Sequence, residues 1–186
     1  MTEPPDTDRV EILSERELGR TLARLATQLL ETVDDSRTLM LMGIPTRGVQ
    51  LSKVLARELE RLSGHAIAQG AIDPTFHRDD LERIGTRLPQ VTTLPNSVEG
   101  RQVVLVDDVI FTGRTVRAAL EALQSWGRAQ RVMLLAMVDR GHRELPIQPD
   151  FCGRVVPTRR SETIELRLRD VDGEEGVFLR RINRPS

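Results

Sequence analysis

The chain has 186 residues and a formal net charge of -1, set by 27 Lys plus Arg against 28 Asp plus Glu. That length predicts one domain, 1–186, large enough to fold around its own core without a disulfide or structural metal, and Cys152 is the only cysteine. The longest apolar runs, such as Val132 to Val138, fall far short of the roughly 20 residues that span a bilayer. The acidic, proline-rich start is predicted to be frayed over about residues 1–9 and is no export signal, so the expectation is a cytoplasmic protein with no membrane partner. Lys53 is the only lysine among the cations. Codon bias explains an Arg excess as well as phosphate recognition does. With no Tyr and a single Trp, an aromatic stacking platform for nucleic acid lacks its parts.

Ser14-Glu-Arg-Glu17 is a capping box, and Leu18, Leu22, Leu25 and Leu29 follow at helical spacing, which predicts a first helix ending near Thr32. Thr38 to Gly43 reads as a buried strand leaving into a loop at Pro45. A second amphipathic helix from Val49 places Leu51, Val54, Leu55, Leu59 and Leu62 on one face and stops at Gly64. A strand around Ala66 to Ile72 comes next, with His65 expected on its solvent side. Residues 73–97 have three prolines and no sustained period, which predicts a flexible excursion. Val103 to Val106 is a strand. A helix from Gly113 or Arg114 to Trp126 should pack through Val116, Ala119, Leu120 and Leu123, and Arg131 to Val138 is the next strand, completing a βαβ unit. Thr163 to Arg169 and Val177 to Leu179 predict a C-terminal hairpin across Asp172-Gly173. The class is α/β with a mostly parallel central sheet flanked by helices.

Ligands of such sheets bind outside the carboxyl ends of the strands. There the chain runs Val103-Val-Leu-Val-Asp-Asp-Val-Ile-Phe-Thr-Gly-Arg-Thr115. The glycine turn and two Thr hydroxyls at a helix start suit a dianionic phosphate. Asp107 and Asp108 cannot bind that phosphate, but they can accept hydrogen bonds from vicinal ribose hydroxyls or assist a hydrated Mg²⁺. A phosphate and a sugar on one ligand mean a phosphoribosyl group. The magnesium-binding strand of a P-loop NTPase would need a G-x-x-x-x-G-K-[ST] loop, and none exists here. A plain capping role would leave one Asp unexplained, since both stand several residues ahead of the helix.

This motif resembles the phosphoribosyl-pyrophosphate (PRPP) motif of type I phosphoribosyltransferases. The wider chain is similar to one branch, the PyrR family of pyrimidine operon attenuators with uracil phosphoribosyltransferase activity. Gly43-Ile-Pro-Thr-Arg-Gly48, Ile72 to Leu81, Val138-Asp-Arg-Gly-His-Arg-Glu-Leu-Pro146 and Pro157 to Glu162 carry that likeness. The resemblance implies a type I phosphoribosyltransferase fold with a closing loop, and an enzyme converting uracil and PRPP to uridine monophosphate (UMP) and pyrophosphate with Mg²⁺. It implies PRPP contacts along Val104, Leu105, Val106, Asp107, Asp108, Val109, Ile110, Phe111, Thr112, Gly113, Arg114 and Thr115, and a pyrophosphate loop at Thr46 and Arg47. Asp107, Asp108 and Arg47 would be the groups acting on the reacting sugar, and the metal would be held indirectly, through PRPP and water, beside the two Asp. Val138, Asp139 and Arg140 would line the uracil site, and Arg78, Asp79 and Asp80 would form the base of the closing loop.

The resemblance further implies a homodimer or higher homo-oligomer that binds pyrimidine operon leader mRNA in response to UMP, through Arg20, Arg24, Arg143 and Arg154. Ala23, Thr27 and Gln148 depart from the Thr, His and Arg the family carries there, and His77 stands in place of a Tyr. The alternatives are an enzyme or nucleotide sensor without RNA binding, and a transferase for another base. His142 has the duller reading of a structural loop histidine, and Cys152 that of a small buried thiol.

Overall fold

The computed structural model describes residues 9–75 and 97–181. The proposed closing-loop residues Arg78, Asp79 and Asp80, and His77, lie outside the described residues. A five-stranded parallel sheet has the order β3-β2-β4-β5-β6, made of β2 (Leu39–Gly43), β3 (Ala68–Ala71), β4 (Gln102–Ile110), β5 (Arg131–Asp139) and β6 (Phe151–Val155). A separate three-stranded antiparallel sheet has the order β1-β8-β7, from β1 (Arg9–Ser14), β7 (Glu162–Arg167) and β8 (Gly176–Arg181).

Alternation along the parallel strands divides the core. Leu41, Val104, Val106 and Leu135 face one side, where α1 (Glu15–Thr32) and α2 (Arg47–Ser63) cover them with Leu18, Leu25, Leu51 and Leu55. Met40, Met42, Val103, Leu105 and Leu134 face the other side, against α3 (Arg114–Gln124) through Val116, Ala119 and Leu123. Because helices lie over both faces, the strands read as unbroken apolar runs. The predicted capping box is present: Ser14 Oγ accepts from the Glu17 backbone N–H, and the Glu17 carboxylate accepts from the Ser14 N–H at 2.9 Å. The bond from Glu17 N–H is long, at 3.5 Å. Gly64 closes α2 in the left-handed region at φ 77°.

Several boundaries differ from expectation. Arg9 is not frayed: it is paired in β1, with its guanidinium on Glu174 and over the Phe178 ring. The second helix starts at Arg47, two residues early, and Leu62 at its end and Leu120 on α3 are 41% and 36% exposed rather than inward. His65 lies before β3 in a bend, where Ser36 Oγ meets its ring. Asp73 is buried and accepts from the backbone and hydroxyl of Thr75, so residues 73–75 form an ordered turn; the remainder of the predicted excursion up to residue 96 lies outside the described residues. The C-terminal hairpin forms, but a one-turn helix, α4 (Arg169–Asp172), sits in its bend. Neither β1 nor β6 was legible as a strand.

Candidate active site

β4 does not end at Val106. Its backbone stays paired with β5 as far as Ile110, with Asp107 opposite Ala136 and Val109 opposite Val138. The two carboxylates are therefore carried by the sheet itself, and the turn begins at Phe111. Two glycines bring the neighbouring elements close. A Cβ on Gly43 would stand 2.5 Å from Val49 Cα, and one on Gly48 would stand 2.3 Å from the Val106 carbonyl oxygen. Only hydrogen fits there, so the first turn of α2 lies directly on β4 at Val106 and sets Arg47 beside the Asp pair.

These elements enclose a cavity of about 520 Å³ lined by Pro45, Thr46, Arg47, Gln50, Asp107, Asp108, Val109, Thr115 and Val171. Asp107 is 6% exposed. Burial pushes the Asp108 carboxyl above its ordinary value of 3.8; a hydrogen bond with Asp107, the backbone N–H groups of Asp108 and Val109, and the Arg47 charge pull the other way without cancelling it. The peptide between Pro45 and Thr46 is cis. Arg47 Nη2 lies 2.5 Å from Asp172 Oδ1, on α4.

The turn after β4 is fixed from the side. Gly113 caps α3 at φ 89°, in the left-handed region, with no side-chain cap of its own. The Thr112 carbonyl accepts from the backbone N–H groups of Glu144 and Leu145, and the Arg114 guanidinium pairs with Glu144 at 2.9 Å. Thr112, Gly113 and Arg114 thus open α3 next to the cavity that Thr115 lines. Val104, Leu105 and Val106 are buried in the sheet, so their side chains serve the core while the strand positions Asp107 and Asp108 at its end.

The segment after β5 shares this end of the sheet. Arg140 is 7% exposed, and its guanidinium donates to Thr158 Oγ1 and to the carbonyls of Arg159 and Glu162 while lying over the Phe111 ring at 4.3 Å. Its side chain is a staple between this segment and the Thr158 to Glu162 stretch. Asp139 accepts from Gly141 N–H and from Arg143. His142, at φ 62°, meets the Thr158 carbonyl through Nε2 at 2.6 Å and the Phe111 ring by its edge. An Nε2 that meets a carbonyl is the protonated one.

Of the four arginines assigned to RNA, three cluster. Arg20 and Arg24 are exposed on α1 and Arg154 is exposed on β6. Glu17 lies among them: its carboxyl is held below the usual range first by hydrogen bonds from Ser14 and then by the charges of Arg154 and Arg20. Arg24 also donates to the Gly153 carbonyl at 2.7 Å. Arg143 departs from that expectation. Its guanidinium turns inward to Asp139 Oδ2 at 2.6 Å and to the carbonyls of Phe111 and Ile147, each at 2.8 Å, which is structural use of the whole fork. Cys152 on β6 is half-buried, and burial raises its thiol pKa, so it is not activated as a nucleophile. Sequence reasoning missed Gln50, Val171 and Asp172. Among the described residues, Gln50 Oε1 is buried without a hydrogen-bond partner.

The model of the phosphoribosyl transferase domain matches residues 8–159. "Bifunctional protein PyrR" of Microcystis aeruginosa is 51% identical over 170 residues, covering 91% of this chain and 96% of that protein. The protein of the same name from Leifsonia xyli is 46% identical over 173 residues, covering 90% and 94%. The chain belongs to the PyrR family. Among solved structures, hypoxanthine phosphoribosyltransferase of Staphylococcus aureus superposes with a TM-score of 0.70 at 18% identity, covering 92% of this chain and 90% of that one. The Trypanosoma cruzi enzyme in complex with the product IMP gives 0.72 at 16%, covering 100% and 98%. These place the chain in the type I phosphoribosyltransferase fold. No helix among the described residues is long and apolar enough to cross a membrane.

Proposed function

We propose that this PyrR-family chain is a uracil phosphoribosyltransferase that converts uracil and PRPP to UMP and pyrophosphate, and also a UMP-responsive regulator that binds pyrimidine operon leader mRNA. The observation that carries the enzyme reading is the convergence of Arg47, Asp107, Asp108 and Thr115 on one cavity at the carboxyl end of β4. A single phosphoribosyltransferase domain spans the chain and works in the cytoplasm, as a homodimer or higher oligomer.

The roles come from the chemistry of each group. Backbone N–H groups and hydroxyls of Thr112 to Thr115, at the positive end of α3, hold the 5-phosphate. Asp107 and Asp108 accept hydrogen bonds from the ribose hydroxyls, Thr46 and Arg47 receive the pyrophosphate, and the backbone of Val138, Asp139 and Arg140 lines the uracil site. Uracil N1 bonds to C1 of the ribose as the C1–O bond to pyrophosphate breaks, through a state with cationic character at the sugar, and the N1 proton passes to pyrophosphate or water. Such a step needs positioning, charge complementarity and exclusion of water more than a strong base.

Two carboxylates at one end of the cavity fit a hydrated Mg²⁺, which keeps most of its ligands as water and substrate oxygens. When bound with PRPP, Mg²⁺ would neutralise charge on the leaving pyrophosphate.

The RNA reading is supported by the exposed Arg20, Arg24 and Arg154, which form a local basic face on a chain of net charge -1. Arg143 serves that face only by shaping the adjacent loop. The test is a gel-shift titration against a pyrimidine operon leader RNA with UMP present, run alongside an assay of UMP formation. Wild type should shift the RNA, with affinity falling steeply as salt rises. Arg24→Glu should abolish the shift and retain UMP formation. No shift by wild type at micromolar protein and low salt would leave an enzyme without RNA regulation.

A further inference from the structure

The guanidinium that lines the pyrophosphate end of the cavity is not held by its own loop. Arg47 sits in the first turn of α2, and its Nη2 bonds Asp172 Oδ1 at 2.5 Å across 125 residues of sequence. Asp172 belongs to α4, in the bend of the C-terminal hairpin. Its side chain is only 5% exposed, while that of Arg47 is 29% exposed and lines the cavity.

From these positions we infer that Asp172 is a positioning residue, fixing the Arg47 guanidinium so that its remaining N–H groups face the pyrophosphate of PRPP. The inference rests on the phosphoribosyl reading of the cavity and adds a residue from a different sheet to it. A guanidinium carries five N–H donors in a planar fork, so a bond at one corner sets the plane of the rest. Asp172 is itself held in place. Oδ2 accepts from the Leu168 backbone N–H at 2.9 Å, and Arg167 Nη1 lies 3.6 Å from Oδ1. The second cation matters, because it keeps the buried carboxylate charge-paired when Arg47 turns part of its charge to a polyanion. Val171, the residue before it, lines the same cavity and ties the hairpin bend to it.

Titration calorimetry with inorganic pyrophosphate and Mg²⁺ tests the role without relying on uracil turnover, each variant being measured well below its melting temperature. Asp172→Asn keeps the shape and removes the charge. It should bind pyrophosphate roughly tenfold more weakly, as expected for a misaimed group, and raise KM for PRPP with little change in KM for uracil. In an Arg47→Ala background the same substitution should have no further effect, because Asp172 acts only through Arg47. Unchanged or tighter pyrophosphate binding by Asp172→Asn, or an undiminished loss in the Arg47→Ala background, overturns the role. A wild-type chain that binds PRPP but not pyrophosphate would also overturn it, whereas one that binds neither would sink the phosphoribosyl reading beneath it.

Discussion

Asp108→Asn is expected to make the unliganded protein more heat-stable while crippling its use of PRPP. Burial raises the Asp108 carboxyl above 3.8, so the folded state holds a proton more tightly than the unfolded state does. The sign is then fixed. Stability is greatest where the group is protonated in both states, and it is lost as pH rises from 3.8 through the folded value, because the ionised carboxylate must be kept in a poorly hydrated place. Asn carries no such cost. The gain in melting temperature over wild type should therefore be present at neutral pH and vanish below 3.8. Function runs the other way under the proposed role, in which an ionised Asp108 accepts from ribose hydroxyls. Losing a hydrogen bond to a charged group costs about 1.5–3 kcal/mol, or roughly ten- to a hundredfold in PRPP binding. Paired melting curves and PRPP kinetics across pH check both halves, and a variant that is less stable at neutral pH contradicts the account.

Gly48→Ala should be more damaging than any single loss of a polar contact at the site. The added Cβ would stand 2.3 Å from the Val106 carbonyl oxygen and 3.3 Å from Asp107 Cα, and both are backbone atoms of a paired central strand. Relief requires the first turn of α2 to move. Overpacking of this kind costs about 1–3 kcal/mol. The displaced turn carries Arg47 and Gln50 away from the Asp pair, and a misplacement of about 1 Å can cost on the order of a hundredfold in rate. Gly19→Ala is the control: it sits on exposed α1, where a Cβ would meet nothing within 4 Å, and should stabilise by about 0.5–1 kcal/mol. Equal kcat/KM for PRPP in the two variants would show that the close approach of α2 to β4 does not set the site.

What could be foreseen along the chain was local or periodic. The Ser14 capping box and the Gly64 stop each declare themselves within a few residues and stand where expected, whereas the strand of the Val103 to Thr115 run continues to Ile110 instead of ending at Val106. The elements that escaped notice depend on distant partners. β1 is a strand because β8 pairs with it, and Arg9 finds its carboxylate 165 residues away. β6 lacks alternation, with Phe151 buried and Arg154 and Val155 exposed, and becomes a strand by adding to the edge of β5. Within the cavity lining, Arg47 and the Asp pair were legible because each lies within a few residues of an apolar strand run, whereas Asp172 reaches Arg47 only through hairpin docking. Arg143 is the reverse case. A positive side chain in a polar loop looks available in sequence, yet its fork is closed by Asp139, Phe111 and Ile147.

The choice of base tests the central reading most directly, because the phosphate and ribose groups of the cavity are indifferent to it. Purified protein given PRPP and Mg²⁺ with uracil, hypoxanthine or orotate in turn should form UMP and pyrophosphate in equal amounts from uracil, and negligible nucleotide from the other two. Turnover of hypoxanthine or orotate without turnover of uracil would contradict the account.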